Sequence, residues 1–195
     1  MTKTVLDAGD ALIVADVQND FLPGGSLAVP LSDEIIPLLN RYIELFHAHG
    51  LPIFAIRDWH PPDHCSFLQQ GGPWPPHCIA ATPGAAFPAA LKLPSDTRII
   101  SKATSREQDA YSGFAGTQLD ALLQACNVRR VFVGGVTTEY CVLNTVKDAL
   151  QHHYTAFILV DAVRALNMTA GDGPQALETM AHLGAVPLHF EALSA

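Results

Sequence analysis

The hydrophobic positions of the chain fall into short runs separated by mixed stretches. Most of the runs are continuous rather than alternating, which is typical of parallel strands that are covered on both faces. β-Branched and aromatic side chains are frequent in them, as expected for strands. The pattern predicts six strands, at 11–17, 52–56, 97–101, 130–136, 155–160 and 186–190.

Apolar residues recur at helical spacing between these runs. In the clearest case Ile35, Leu38, Leu39 and Tyr42 lie on one face of a segment that stops at Gly50. The same spacing predicts helices at 35–49, 117–126, 140–152 and 173–183. Because strands alternate with helices, we expect an α/β fold: a doubly wound, mostly parallel six-stranded sheet with helices on both faces.

The 195 residues show neither an internal repeat nor a linker, so we expect a single domain spanning residues 1–195. The segment 59–93 interrupts the alternation of strands and helices. It is rich in proline, glycine and histidine and is too long for a plain connection. Loops of this size in a compact domain are usually functional, which marks 59–93 as a candidate metal and substrate loop.

The charge balance excludes some partners. Lys and Arg number 11 and Asp and Glu 19, which gives a net charge of −8. A surface for nucleic acid or for anionic membranes needs a basic face, so neither partner is expected. No apolar run is long enough for a membrane span and the first ten residues lack the apolar stretch of a signal peptide, so we expect a cytoplasmic protein.

Reactive residues follow four of the predicted strands. Asp16 lies at the end of the first, Asp58 just past the second, Lys102 after the third, and Cys141 beyond the fourth. Ligands of open α/β sheets bind outside the carboxyl ends of the strands. We therefore expect these side chains to converge on one rim.

The residue types suit acyl transfer. Cys141 falls in the first turn of a predicted helix, where the helix dipole and free N–H groups favour a thiolate. Asp16 can take the thiol proton, and Lys102 favours both anions. Two structural alternatives stay open at this point, namely a buried cysteine without chemistry and a plain Asp–Lys ion pair.

A second group of residues suits a metal ion. Asp58 and His60 are two apart and point to the same side of an extended chain, and His64 and His77 can fold back from the loop. One carboxylate with two or three imidazoles suits Zn²⁺, Fe²⁺ or Mn²⁺ and leaves a position open for a ligand. The structural alternative is a set of solvated loop histidines.

These motifs together resemble the nicotinamidase (pyrazinamidase) branch of the isochorismatase-like hydrolases. The resemblance covers nearly the whole chain, and the motifs stand in family order: Asp16-x-Gln-Asn-Asp-Phe21, Asp58-Trp-His-Pro, Trp74-Pro-x-His77-Cys78, Lys102 and Thr138-x-Tyr-Cys141-Val. The resemblance implies a metal-dependent amidase that hydrolyses nicotinamide to nicotinate and ammonia through a cysteine thioester. It also implies activity on pyrazinamide and a role in NAD salvage.

The resemblance assigns roles to the catalytic residues. It implies that Cys141 is the nucleophile, that Asp16 is the general base and acid, and that Lys102 orders the charges. The oxyanion hole would consist of the backbone N–H groups of Thr137 and Cys141, preceded by a cis peptide at Val136–Thr137. Thr137 departs from the alanine found in many members, and Glu139 replaces the usual aspartate.

The resemblance also implies a metal site and a pyridine pocket. The ligands of one divalent ion, with zinc expected first and iron or manganese as alternatives, would be Asp58, His60 and His77. His64 resembles a fourth ligand that only some members use. The aromatic walls of the pocket would be Phe21, Trp74 and Tyr111.

Other functions remain open from the sequence alone. They are a related amidase with a different small amide substrate, a non-catalytic member that binds a small ligand, and a redox-sensing thiol protein. The expected partner is a small aromatic amide. The sequence leaves the oligomeric state open, a homo-oligomer included.

Overall fold

The structure is a computed structural model and describes residues 3–194. Its strands are β1 (Thr4–Val5), β2 (Asp10–Ala15), β3 (Ile53–Asp58), β4 (Arg98–Lys102), β5 (Arg130–Val136), β6 (Thr155–Arg164), β7 (Val186–Leu188) and β8 (Leu193–Ser194). Its α-helices are α1 (Ile36–Ala48), α2 (Leu119–Ala125), α3 (Leu143–Gln151) and α4 (Asp172–His182).

Six of the strands form one parallel sheet in the order β4-β3-β2-β5-β6-β7, as the hydrophobic pattern predicts. The chain adds β3 and β4 on one side of β2, then returns to place β5 on the other side. The switch point of the topology therefore lies between β2 and β5. In doubly wound sheets ligands bind at the carboxyl ends of the strands beside this point.

Alternate residues of the central strand β2 supply two separate cores. Leu12 and Val14 pack on the face that α1 covers, whereas Ile13 and Ala15 pack on the opposite face. The helices of this second core include α2 and α3, through residues such as Leu119. Because β2 is buried on both faces, its apolar run is continuous, as expected for a parallel strand.

Most element boundaries lie within about two residues of the predicted ones, and two differ by more. Strand β6 continues past Asp161 to Arg164, because its pairing with β5 resumes after a register shift, with Val163 opposite Gly135 and Arg164 opposite Val136. The helix expected from residue 140 begins as a π-helical turn at Thr138–Val142 and becomes regular only at Leu143. Such turns are frequent at functional sites.

The segment 59–93 contains one 3₁₀ turn, Leu68–Gln70, but neither a β-strand of the sheet nor an α-helix. A hydrogen bond from Trp59 N–H to Lys102 O at 3.1 Å anchors it at the rim, and one from His60 N–H to Cys78 O at 3.0 Å joins two parts of the segment itself. All four cysteines of the chain are free. Within residues 3–194, no helix is long and apolar enough to cross a membrane.

Candidate active site

The carboxyl ends of β2, β3, β4 and β5 bring the sequence-predicted residues to one rim. Asp16 follows β2 in a left-handed conformation with φ 51°, and Asp58 and Lys102 end β3 and β4 as direct partners in the ladder. Thr137 follows β5, and Cys141 lies in the π-helical turn beyond it. The expected convergence is confirmed.

Asp16, Lys102 and Cys141 form a contiguous buried cluster. Lys102 Nζ lies 3.2 Å from Asp16 Oδ2 and 3.6 Å from Cys141 Sγ. A carboxylate oxygen of Asp16 and the sulfur of Cys141 lie within 4.8 Å of each other. An acid or base, a cation and a thiol therefore stand within reach of one reacting atom.

The electrostatics of this cluster favour a proton on sulfur in the resting site. Burial raises the pKa of Asp16 to about 6, although Lys102 opposes the shift. Burial and the carboxylate of Asp16 raise the pKa of the Cys141 thiol well above its usual value. These two effects oppose the stabilisation of the thiolate that we expect at the start of the helix.

Within residues 3–194, neither carboxylate oxygen of Asp16 meets a donor in hydrogen-bonding geometry, although both are buried. The ion pair with Lys102 is thus its main polar contact. A buried carboxylate with free acceptor capacity is suited to receive a proton from a nearby thiol.

A second cluster consists of Asp58, His60 and His77, whose ligand atoms lie within 4.8 Å of one another. His60 Nδ1 lies 2.9 Å from His77 O, and His77 Nδ1 lies 2.8 Å from Pro75 O. These contacts orient the rings through Nδ1 and leave both Nε2 atoms for a metal, which is the usual arrangement in metalloproteins.

Burial lowers the pKa of His60 to about 4 and lowers that of His77. Both imidazoles are therefore neutral near pH 7, the state that binds a metal. A buried carboxylate and two neutral, oriented imidazoles fit a divalent ion such as zinc.

His64 lies beside this cluster rather than within it. Its Nδ1 is 2.7 Å from Ser66 Oγ and its Nε2 is 3.2 Å from Gln108 O, so both ring nitrogens have protein partners. It can approach a common ion with His60 and Asp109, but it is not grouped with Asp58 and His77. Of the four expected ligands, the structure brings three together.

Lys102 joins the two clusters, a contact that the sequence analysis missed. Its Nζ lies 2.5 Å from Asp58 Oδ1 as well as 3.2 Å from Asp16. Burial opposes the ammonium charge, but the two carboxylates outweigh this effect and raise the pKa of Lys102. Asp58 and Lys102 are paired residues of β3 and β4, so a prediction of the register between these strands would have revealed the contact.

A small pocket opens onto both clusters. It is lined by the three predicted aromatic residues, Phe21, Trp74 and Tyr111, together with Cys141. Trp74 Nε1 donates a hydrogen bond to Tyr111 Oη at 3.0 Å, which fixes two of the walls. Sequence reasoning missed the other wall residues, Leu27, Tyr140 and Leu166.

The peptide bond Val136–Thr137 is cis, as the family resemblance implied. Thr137 also lines the pocket. Its hydroxyl oxygen is buried and has no hydrogen-bond partner in the described part of the chain.

Comparison with known proteins agrees with this arrangement. The Isochorismatase domain family matches residues 10–192. A nicotinamidase from Escherichia coli is 33% identical and covers 90% of this chain and 92% of its own. A nicotinamidase/pyrazinamidase from Mycobacterium tuberculosis is 37% identical and covers 77% of this chain and 84% of its own.

Solved structures show the same fold. The pyrazinamidase of Pyrococcus horikoshii in complex with zinc is 49% identical, with a TM-score of 0.90 over 93% of this chain and 99% of that one. PnC1 from L. infantum in complex with nicotinate is 34% identical, with a TM-score of 0.92 over 100% of both chains. The chain therefore belongs to the isochorismatase family.

Proposed function

We propose that the chain is a nicotinamidase, which hydrolyses nicotinamide to nicotinate and ammonia. The observation that carries the proposal is the meeting of two clusters at one aromatic pocket: Asp16, Lys102 and Cys141 on one side, and Asp58, His60 and His77 on the other. The names of the relatives and the zinc and nicotinate complexes of the two structures support the same activity.

The pocket would hold the pyridine ring between its aromatic walls. Asp58, His60 and His77 would hold a divalent ion, most simply zinc, and a bound ion would supply a Lewis-acid contact for the ring nitrogen of the substrate. Trp74 and Tyr111, coupled by their hydrogen bond, would orient the ring so that the carboxamide faces Cys141. The gain is positioning of the reacting atoms.

The first half-reaction would form a thioester. Asp16 accepts the proton of the Cys141 thiol, and the sulfur attacks the carboxamide carbon. The backbone N–H groups of Thr137 and Cys141 stabilise the developing oxyanion. Asp16 then returns the proton to the nitrogen as the C–N bond breaks, and ammonia leaves.

The second half-reaction would use water. Asp16 accepts a proton from the water, whose oxygen attacks the thioester carbon. The C–S bond breaks, and Asp16 passes its proton to the sulfur of Cys141. The product leaves as nicotinic acid and loses its carboxyl proton to solvent, which gives nicotinate. The Lys102 ammonium stays charged throughout and stabilises whichever of Asp16 and Cys141 is the anion.

Pyrazinamide would react in the same way, since its ring offers a nitrogen in the same position relative to the carboxamide. We extend the proposal to NAD salvage in the cytoplasm and to a single domain spanning residues 1–195. A ureidoacrylate amidohydrolase from Methylobacterium radiotolerans is 28% identical to this chain. Ureidoacrylate is therefore a different small amide that must also be tested as a substrate.

Ammonia release from nicotinamide, with the zinc content of the same sample measured, tests the proposal. We expect turnover and about one metal ion per chain, and a loss of about 1000-fold or more in kcat for Cys141→Ala. Full activity of Cys141→Ala would exclude the thioester. Absence of turnover by folded, reduced, zinc-loaded protein would reject the nicotinamidase assignment and favour another amide.

The affinity for zinc distinguishes His77, a predicted ligand within the cluster, from His64, which lies beside it. We expect His77→Ala to weaken zinc binding about 100-fold or more, because it removes a ligand. His64→Ala serves as the matched comparison. An equal loss in the two variants would show that His64 binds the metal too.

A further inference from the structure

Gln18 lies at a junction between the two clusters. Its side chain is fully buried two residues beyond Asp16. Its amide nitrogen donates to Asp58 O at 2.8 Å and to Ala85 O at 2.9 Å, and its amide oxygen accepts from the N–H of Asp58 at 2.8 Å. The amide nitrogen and the amide oxygen of Gln18 thus both bind main-chain groups.

The side chain of Gln18 takes the place of a strand at the end of β3. The pairing of β2 with β3 stops at Ala15 and Ile56, and the left-handed conformation of Asp16 turns the main chain away. Asp58 N–H and C=O would then lack a partner from β2. The carboxamide of Gln18 satisfies both groups, as a neighbouring peptide unit would.

The residues after Gln18 bind the loop that carries His77. Asn19 N–H donates to Ala86 O at 2.9 Å, and Asp20 Oδ2 accepts from the N–H of Cys78 at 2.7 Å. Three parts of the site therefore meet here: the strand end with Asp16, the strand end with Asp58, and the loop with His77.

We propose that Gln18 is a positioning residue that holds the Asp58 carboxylate in place for both Lys102 and the metal. The Asp58 oxygen that pairs with Lys102 Nζ also faces His60 Nε2 at 3.7 Å. The position of the Asp58 carboxylate therefore affects both clusters. Removing the amide would leave two buried backbone groups of Asp58 unpaired, and the end of β3 would shift to find other partners. The kinetic part of this inference rests on the proposed nicotinamidase activity, whereas the metal part does not.

Gln18→Met tests the inference, because it keeps the length of the side chain and removes the hydrogen bonds without adding charge. We expect the zinc dissociation constant, measured by competition with a chromophoric chelator, to rise by about 10- to 100-fold, the range seen when groups that orient ligands are lost. We also expect kcat/KM for nicotinamide to fall by about tenfold or more under saturating zinc.

Two control variants separate positioning from general stability. Gln151→Met makes the same change at an exposed position at the end of α3. Tyr42→Phe removes a partly buried hydrogen bond between α1 and Asp161 of β6. We expect both to bind zinc and turn over nicotinamide as the unsubstituted protein does, although Tyr42→Phe lowers the melting temperature.

Unchanged zinc affinity in Gln18→Met would overturn the inference. Gln18→Glu gives a second reading should the methionine variant not fold: it keeps the acceptor for Asp58 N–H, loses the amide donor, and is expected to weaken zinc binding as well. If the unsubstituted protein binds zinc but does not hydrolyse nicotinamide, the proposed function fails and the zinc series still decides the role of Gln18.

Discussion

Strand β2 has a fully buried aspartate at its beginning and another just after its end, and the two have different surroundings. Asp10 accepts hydrogen bonds from Arg130 Nε at 2.5 Å and Nη2 at 2.6 Å, and from the N–H of Asp7 at 2.9 Å. Asp16 is equally buried, but neither of its oxygens meets a donor in hydrogen-bonding geometry in the part of the chain that the structure describes. Lys102 faces it only as an ion pair at 3.2 Å.

The comparison shows that burial of a carboxylate does not by itself indicate function. Asp10 forms a structural ion pair, in which the guanidinium of Arg130 binds both carboxylate oxygens. The sequence allowed the same structural role for Asp16. Asp16 keeps unused acceptor capacity at the rim where ligands bind. A protein retains such a costly arrangement where a reaction needs it.

The largest expected difference between the two aspartates is catalytic. Asp16→Asn removes the group that accepts the thiol proton, and we expect kcat for nicotinamide to fall by about 1000-fold, within the range for loss of a general base. The variant should fold normally and melt at the same or a higher temperature at pH 8, because it removes a poorly satisfied buried charge. Undiminished kcat in Asp16→Asn would exclude the proposed base.

The pH dependence sharpens the same contrast. Since burial raises the pKa of Asp16 to about 6, kcat/KM should fall about tenfold per pH unit below that value as the coupled pair with Cys141 gains a proton. A profile that is flat from pH 7 down to pH 5 in folded, zinc-loaded protein would contradict this assignment.

The ionised carboxylate of Asp16 lowers the free energy of unfolding, whereas that of an ordinary paired aspartate raises it. Its pKa in the folded protein, about 6, lies above the reference value of 3.8, so the folded state binds the proton more tightly. The ionisation of Asp16 therefore lowers the free energy of unfolding by its full amount above pH 6, and this loss disappears as the pH falls toward 3.8. The stability gained in Asp16→Asn over the unsubstituted protein should therefore shrink across this window.

Local patterns predicted the sheet and the rim, but not the contacts across it. The runs around Asp10–Ala15 and Arg130–Val136 are buried on both faces, so their hydrophobicity identifies the strands directly. The contact of Lys102 with Asp58 depends on the register of β3 with β4, which no local pattern carries. The separation of His64 from the metal cluster likewise depends on how the segment 59–93 folds back.

The beginning of β2 should respond in stability rather than in activity. Asp10→Asn breaks the charge-assisted pair with Arg130, and we expect the free energy of unfolding to fall by about 2 kcal/mol, the scale of hydrogen bonds to charged groups. Because the site lies at the opposite end of the strand, kcat should not change. Urea unfolding and nicotinamide turnover on the same preparation measure both. A large loss of kcat in folded Asp10→Asn would show that the two ends of β2 are coupled.

The smallest expected effect concerns Thr137, which lies at the same rim as Asp16 and whose buried hydroxyl has no hydrogen-bond partner among residues 3–194. Thr137→Val keeps the shape of the side chain and removes the hydroxyl, so the unfolding free energy of the free protein should rise by about 1 kcal/mol, the low end of the cost of an unpaired polar group. Thr137→Ser, which retains a hydroxyl, is the matched control and should not gain stability. If Thr137→Val is instead less stable than the unsubstituted protein, the hydroxyl is satisfied in solution. Asp16 would then be the exception at this rim, rather than part of a region built with unpaired polar groups.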